Sequence, residues 1–112
     1  MSDVFNTIID APTLHAHLTD ARLVVVDARF NLMNVDEGRA AYLEAHIPGA
    51  VYAHLDNDLS GPPLTDHGRH PLPSPQALDA LFSRLGIDDD SRVVAYDARD
   101  GALAARVWWL LR

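Results

Sequence analysis

The sequence contains no cysteine. That absence excludes disulfides, iron–sulfur clusters, thiolate zinc sites and any cysteine nucleophile on this chain. Lysine is absent too: all nine basic residues are arginines, set against 16 acidic residues, and the net charge is −7. Such a balance lacks the basic face that a nucleic-acid backbone needs, so no nucleic-acid partner is expected. No apolar run approaches the ~20 residues of a membrane span, and no membrane association is expected. The start, Met1-Ser2-Asp3-Val4-Phe5, has neither the basic region nor the apolar stretch of a secretory signal, which points to a cytoplasmic location. His67 and His70 lack a third spaced ligand, and His15 and His17 face different ways on a helix, so no metal site or cofactor is expected.

What is present is ordinary for a globular chain: 48% hydrophobic and 22% charged residues in a length of 112, enough for one domain. Thr7 to Ile9 reads as a short edge strand. Pro12 suits the first turn of a helix over 12–19, with Leu14 and Leu18 at i, i+4. Leu23-Val24-Val25-Val26-Asp27 is a β-branched run too short for a buried helix, so it reads as a buried parallel strand. Asp36 is placed to cap a helix over 37–45, packed through Ala40, Ala41, Tyr42 and Leu43. His46-Ile47-Pro48-Gly49-Ala50 breaks that helix, and Val51-Tyr52-Ala53 forms the next strand.

Residues 56–75 hold five of the seven prolines and two of the six glycines, which describes a long, stiff surface connection. Ser74 then reads as an N-cap and Pro75 as the first helical residue. Leu78, Leu81, Phe82 and Leu85 form the apolar stripe, and Gly86 ends the helix. Val93 to Tyr96 is a further strand. Residues 102–111 form a helix apolar on nearly every face, which predicts burial. Strands alternating with helices define an α/β fold with a mostly parallel sheet and helices on both faces.

Ligands in such sheets bind beyond the carboxyl ends of the strands. Asp97-Ala98-Arg99-Asp100-Gly101 joins a strand to a helix there, and its backbone amides should converge on one spot suited to an anion. The plain reading of Asp97 is a cap on the following helix. An aspartyl nucleophile for phosphoryl transfer is the sharper alternative, but it would have only Asp27 and Asp100 as nearby carboxylates. His46 reads as a structural hydrogen-bonding residue. Arg106 should pair with a carboxylate, and Trp108 and Trp109 should pack in a core or an interdomain contact.

Four segments carry a resemblance: Val24-Val25-Val26-Asp27-Ala28-Arg29; His46-Ile47-Pro48-Gly49-Ala50; Gly68-Arg69-His70-Pro71-Leu72-Pro73; and Val93 to Asp97 leading to Ala105-Arg106-Val107-Trp108-Trp109. In order and spacing the chain resembles the N-terminal, non-catalytic domain of the tandem rhodanese-like sulfurtransferases that act on thiosulfate or 3-mercaptopyruvate. The resemblance implies a three-layer sandwich whose sheet has five strands in the family, the last lying between the first and fourth and falling beyond Arg112. Residues 1–112 would then be one rhodanese-like domain truncated at its C-terminal end. The uncovered edge should displace Thr7–Ile9 or draw in another copy of the chain.

In a catalytic domain of that family, the strand matching Val93–Tyr96 ends in the cysteine that carries the sulfane sulfur. Here the matching residue is Asp97, which cannot be persulfidated and would repel a sulfur anion. The resemblance therefore implies a non-catalytic domain whose partner is a C-terminal, cysteine-bearing domain of the same parent chain. A small sulfur anion would sit in the cleft between them. Asp56 and His70 match positions proposed to assist proton transfer in the 3-mercaptopyruvate enzymes, a role suited to a carboxylate beside an imidazole. The chain alone should be inactive. A stand-alone, inactive rhodanese-like module that binds an anion or a protein remains the competing reading.

Overall fold

The computed structural model describes residues 8–31, 33–61, 71–98 and 101–111. Helix α1 spans Ala11–Ala16, strand β1 Leu23–Asp27 and helix α2 Glu37–Glu44. Strand β2 is Val51–Tyr52, helix α3 Pro75–Leu85, strand β3 Arg92–Tyr96 and helix α4 Ala102–Leu110. The strands form one sheet in the order β2-β1-β3, and both pairings are parallel. β1 is central because its branched run can be buried on both faces: Val25 and Val26 are 3% and 0% exposed.

Side chains alternate along the strands, so the sheet has two different faces. Val26 packs with Ala53, Leu81, Leu85 and Val107, and Val24, Val51, Val93 and Ala95 join them. α3 and α4 therefore cover this face. The other face holds Asp27, Tyr52 and Tyr96, which lie in one row because Asp27 is in register with both tyrosines. α2 approaches this face through Tyr42, whose ring centroid is 5.6 Å from that of Tyr52.

Local signals set the ends of the elements. The Asp10 carboxylate accepts from the Thr13 amide and caps α1. The Ser74 hydroxyl does the same for Ala77 at the start of α3, and Gly86 closes that helix at φ 82°. Between α2 and β2, the Ala50 amide donates to the Ile47 carbonyl with Gly49 at φ 81°. Proline followed by a left-handed glycine is the pattern of a type II turn.

Four expectations need correction. Asp36 stands at the N-cap of α2, but its side chain makes no capping hydrogen bond. Ile8 and Ile9 belong to no strand, and Ile8 is 89% exposed. Thr7 lies outside the described residues. At Ile8 and Ile9 the edge strand is therefore not formed, which is the displaced alternative expected for them, and the described sheet has three strands. Helix α4 is not buried throughout. Only Val107 is, while Trp108 and Trp109 are 42% and 61% exposed, because α4 packs on the sheet from one side only. In α2 the buried residue is Gly38; of the side expected to pack, Tyr42 does so against Tyr52, while Ala40 and Leu43 are exposed. A Cβ on Gly38 would lie 2.0 Å from the Arg29 carbonyl oxygen, so the absence of a side chain is what lets α2 sit against the end of β1.

Candidate functional site

The carboxyl ends of the three strands bring together three groups of polar residues. The first is built on Asp27, which is fully buried at the end of β1. Its carboxylate accepts from the Arg29 amide at 3.0 Å, from Arg29 Nε at 3.0 and 3.1 Å and Nη2 at 2.6 Å, and from the Tyr96 hydroxyl at 3.0 Å. The Tyr96 oxygen in turn accepts from the Ile47 amide, and Arg29 Nη2 donates to the Ala45 carbonyl at the C-terminus of α2. A buried carboxylate with this many donors is a satisfied structural anion.

The hydrogen bonds to Asp27 hold the Arg29 guanidinium above its ordinary pKa. Burial pushes the Tyr96 phenol up, and pushes that of Tyr52, which donates to the Arg29 carbonyl, up to about 12. With its oxygens committed in this way, Asp27 does not serve as the metal-binding carboxylate that aspartyl phosphoryl transfer would need.

The second group lies at the junction of β3 and α4. Asp97 Oδ1 accepts from the Gly101 amide at 3.2 Å, and Oδ2 accepts from Leu103 at 3.1 Å and Ala104 at 2.9 Å. Gly101, the N-cap, has φ 90°, a conformation that suits glycine. The amides converge as the strand–loop–helix pattern predicts, and the chain's own carboxylate fills the space they define. Asp97 is thus the helix cap of its plain reading. Arg99 and Asp100 lie outside the described residues.

The third group follows β2. Asp56 is exposed on a turn, and its amide donates to His54 Nδ1 at 3.2 Å. His70, its expected partner, lies outside the described residues, as do His67, Gly68 and Arg69. His54 itself was not singled out from the sequence, yet it is 5% exposed and is, with Asp27, one of two buried polar residues among those described. The spacing His54-x-Asp56-x-Asp58 directly after a strand was the available signal.

His46 and Arg106 make structural contacts. His46 Nδ1 lies 2.7 Å from the Tyr42 carbonyl and the two rings stack at 3.9 Å. Arg106 donates to the Leu59 and Pro71 carbonyls and so ties α4 to both ends of the proline-rich connection. Burial lowers its pKa. At the opposite end of the sheet, a groove of about 800 Å3 lies between α3 and α4, with Phe82, Val93 and Trp108 on its apolar part and Asp79, Asp88 and Asp89 on its acidic part.

A parallel α/β domain with an amide cradle at a strand–helix junction is the class that these features define. The pattern of the rhodanese-like domain matches residues 10–112, and the chain belongs to that family. It is 46% identical over 105 residues to a protein of Pseudomonas aeruginosa named "Probable 3-mercaptopyruvate sulfurtransferase", covering 93% of this chain and 37% of that one. It is 38% identical over 109 residues to thiosulfate/3-mercaptopyruvate sulfurtransferase 2 of Arabidopsis thaliana, covering 94% of this chain and 30% of the relative. The solved structure of 3-mercaptopyruvate sulfurtransferase from Leishmania major superposes with a TM-score of 0.82 at 32% identity, over 92% of this chain and 28% of that one. The chain thus spans about a third of the length of these curated relatives. Among the described residues, no helix is long and apolar enough to cross a membrane.

Proposed function

We propose that this chain is the N-terminal, cysteine-free domain of a cytoplasmic sulfurtransferase that moves sulfane sulfur from thiosulfate or 3-mercaptopyruvate to a thiophilic acceptor such as cyanide. The observation that carries the reading is Asp97 in the amide cradle. A domain that accepts sulfur needs a thiolate there, with the surrounding amides left for the sulfur anion. This domain has a carboxylate that already uses them, and no cysteine anywhere in its sequence.

The reactive cysteine then belongs to a C-terminal rhodanese-like domain of the same parent chain. Its thiolate attacks the terminal sulfur of thiosulfate, breaking the S–S bond and releasing sulfite. With 3-mercaptopyruvate it attacks the thiol sulfur and breaks the C–S bond, so that the carbon takes the electron pair and a proton and leaves as pyruvate. In both cases the cysteine becomes a persulfide that passes the sulfur on. This domain supplies a wall of the cleft and, through Asp56 and His70, a carboxylate–imidazole pair able to take and return the donor's proton.

The test is a cyanide-dependent sulfurtransferase assay on the 112-residue chain with each donor. No turnover is expected alone. Turnover is expected when the chain is joined to the segment that follows it in the parent gene, and Asp56→Asn should lower that turnover. Turnover by the isolated chain would overturn the proposal.

The exposed Trp108 and Trp109 and the groove of mixed polar and apolar lining beside them favour a second reading, a module that docks a protein. Self-association across the outer edge of β3 is one form of it. Sedimentation of the isolated chain separates these: a monomer that gains activity with its parent segment supports the enzyme, and a stable dimer without such a gain supports the module.

A further inference from the structure

The His54 ring has one arrangement of protons that satisfies its neighbours. Nε2 lies 2.9 Å from the Val35 carbonyl oxygen, which only accepts, so Nε2 carries the hydrogen. Nδ1 lies 3.2 Å from both the Asp56 and Asn57 amide nitrogens, which only donate, so Nδ1 presents its lone pair. The imidazole is therefore neutral and in the Nε2–H tautomer.

These bonds build a helix cap without the usual hydroxyl or carboxylate. The Asp58 and Leu59 amides donate to the His54 carbonyl at 2.8 and 3.0 Å, which closes a single helical turn. The amides at the head of that turn belong to Asp56 and Asn57, and Nδ1 accepts from both. Asp58 Oδ2 reaches back to the His54 amide at 2.8 Å, a reciprocal contact like that of a capping box, and its Oδ1 pairs with Arg84 of α3 at 2.7 Å. The Phe30 and Tyr52 rings stand edge-on to the imidazole at 5.0 and 6.2 Å.

We propose that His54 is the positioning residue of Asp56: in its neutral Nε2–H form it holds the turn that presents the Asp56 carboxylate, and protonation of its Nδ1 releases that turn. The functional weight of this rests on the reading of Asp56 as a proton-transfer group. The physical reason is local. A proton on Nδ1 would aim an N–H at two N–H donors inside a buried site, removing two hydrogen bonds at once and leaving the new N–H without an acceptor among those neighbours, while Nε2 keeps its bond to the Val35 carbonyl.

Among the described residues, the ionisable groups around the ring do not offset this. Asp58 is committed to Arg84 and to the His54 amide. Tyr52, from β2, donates its hydroxyl hydrogen bond to the Arg29 carbonyl. The segment carrying Val35 presents a carbonyl to Nε2, and the next residue, Asp36, is exposed. Asp56 stands on the turn itself and is exposed.

Long-range 1H–15N spectra and amide exchange on the 112-residue chain test the proposal. Nδ1 should give a pyridine-type and Nε2 a pyrrole-type nitrogen signal. As His54 takes up its second proton, protection of the Asp56 and Asn57 amides should fall about tenfold while Val25 and Val26 in β1 stay protected. His54→Asn puts an oxygen where Nδ1 stood and cannot titrate, so it should keep both amides protected at every pH. His54→Ala should expose them at every pH. Should His54→Ala not fold, the wild type and His54→Asn still decide.

A proton on Nδ1 in the neutral ring, amides indifferent to His54 protonation, or an unchanged pH dependence in His54→Asn would each overturn the assignment. None of these readouts involves sulfur transfer. A null effect of Asp56→Asn on turnover would remove the catalytic reading and leave the His54 geometry standing.

Discussion

Asp97 Oδ2 lies 2.9 Å from the Ala104 amide nitrogen, so a side chain at the end of β3 terminates the helix that follows it. Replacing Asp97 with alanine removes the acceptor of the Gly101, Leu103 and Ala104 amides at once. The expected loss is about 1–2 kcal/mol of unfolding free energy, measured by urea denaturation. Replacing it with cysteine puts a thiol among the same amides and at a helix N-terminus. Its alkylation should report a thiol pKa below the ~8.5 of a free cysteine.

Arg29→Ala should be more damaging. Asp27 has no exposure, and the guanidinium is its ion-pair partner at 2.6 Å. Leaving a buried carboxylate without its counterion costs about 3–5 kcal/mol. Arg29→Lys should recover only part of this, because one ammonium cannot supply the Nε and Nη2 contacts together. Denaturant midpoints of the three proteins check the order.

Gly38→Ala tests the contact between α2 and β1. Glycine-to-alanine in an exposed helix normally stabilises by about 1 kcal/mol. Here the new methyl would meet the Arg29 carbonyl at 2.0 Å, with backbone on both sides of the clash. The sign should reverse, with a loss of about 1–3 kcal/mol read from thermal unfolding.

The Tyr52 phenol fixes the alkaline limb of stability. Its pKa in the folded chain is about 12 against an ordinary value of 10.0, raised first by burial. Between those values the unfolded chain releases the proton and the folded chain keeps it. The unfolded state then binds fewer protons, and stability falls as pH rises from 10 towards 12. The Tyr96 shift has the same direction. Tyr52→Phe should flatten this slope, measured by denaturation at a series of alkaline pH values.

Features written in neighbouring residues were legible before the structure. The run Leu23–Val26 marked β1, and the trio Ser74, Pro75 and Gly86 marked both ends of α3, since caps and proline act within one helical turn. Asp97 could be placed as a cap for the same reason. Ile8 and Ile9 misled because an edge strand depends on a partner that local composition does not reveal. Apolar residues around all of α4 signalled burial, but periodicity cannot say whether a second element covers Trp108 and Trp109. Within the site, Tyr96 reaches Asp27 from 69 residues away and His54 reaches Val35 from 19, so neither contact could be read from spacing.

Both tryptophans of the chain sit next to each other on the exposed side of α4. The protein therefore carries an unlabelled optical reporter confined to one patch. Whatever covers α4, a parent domain or another copy, will move both indoles out of water together. Emission should shift to the blue and quenching by iodide should weaken, while events confined to Asp27 or His54 leave the signal where it is.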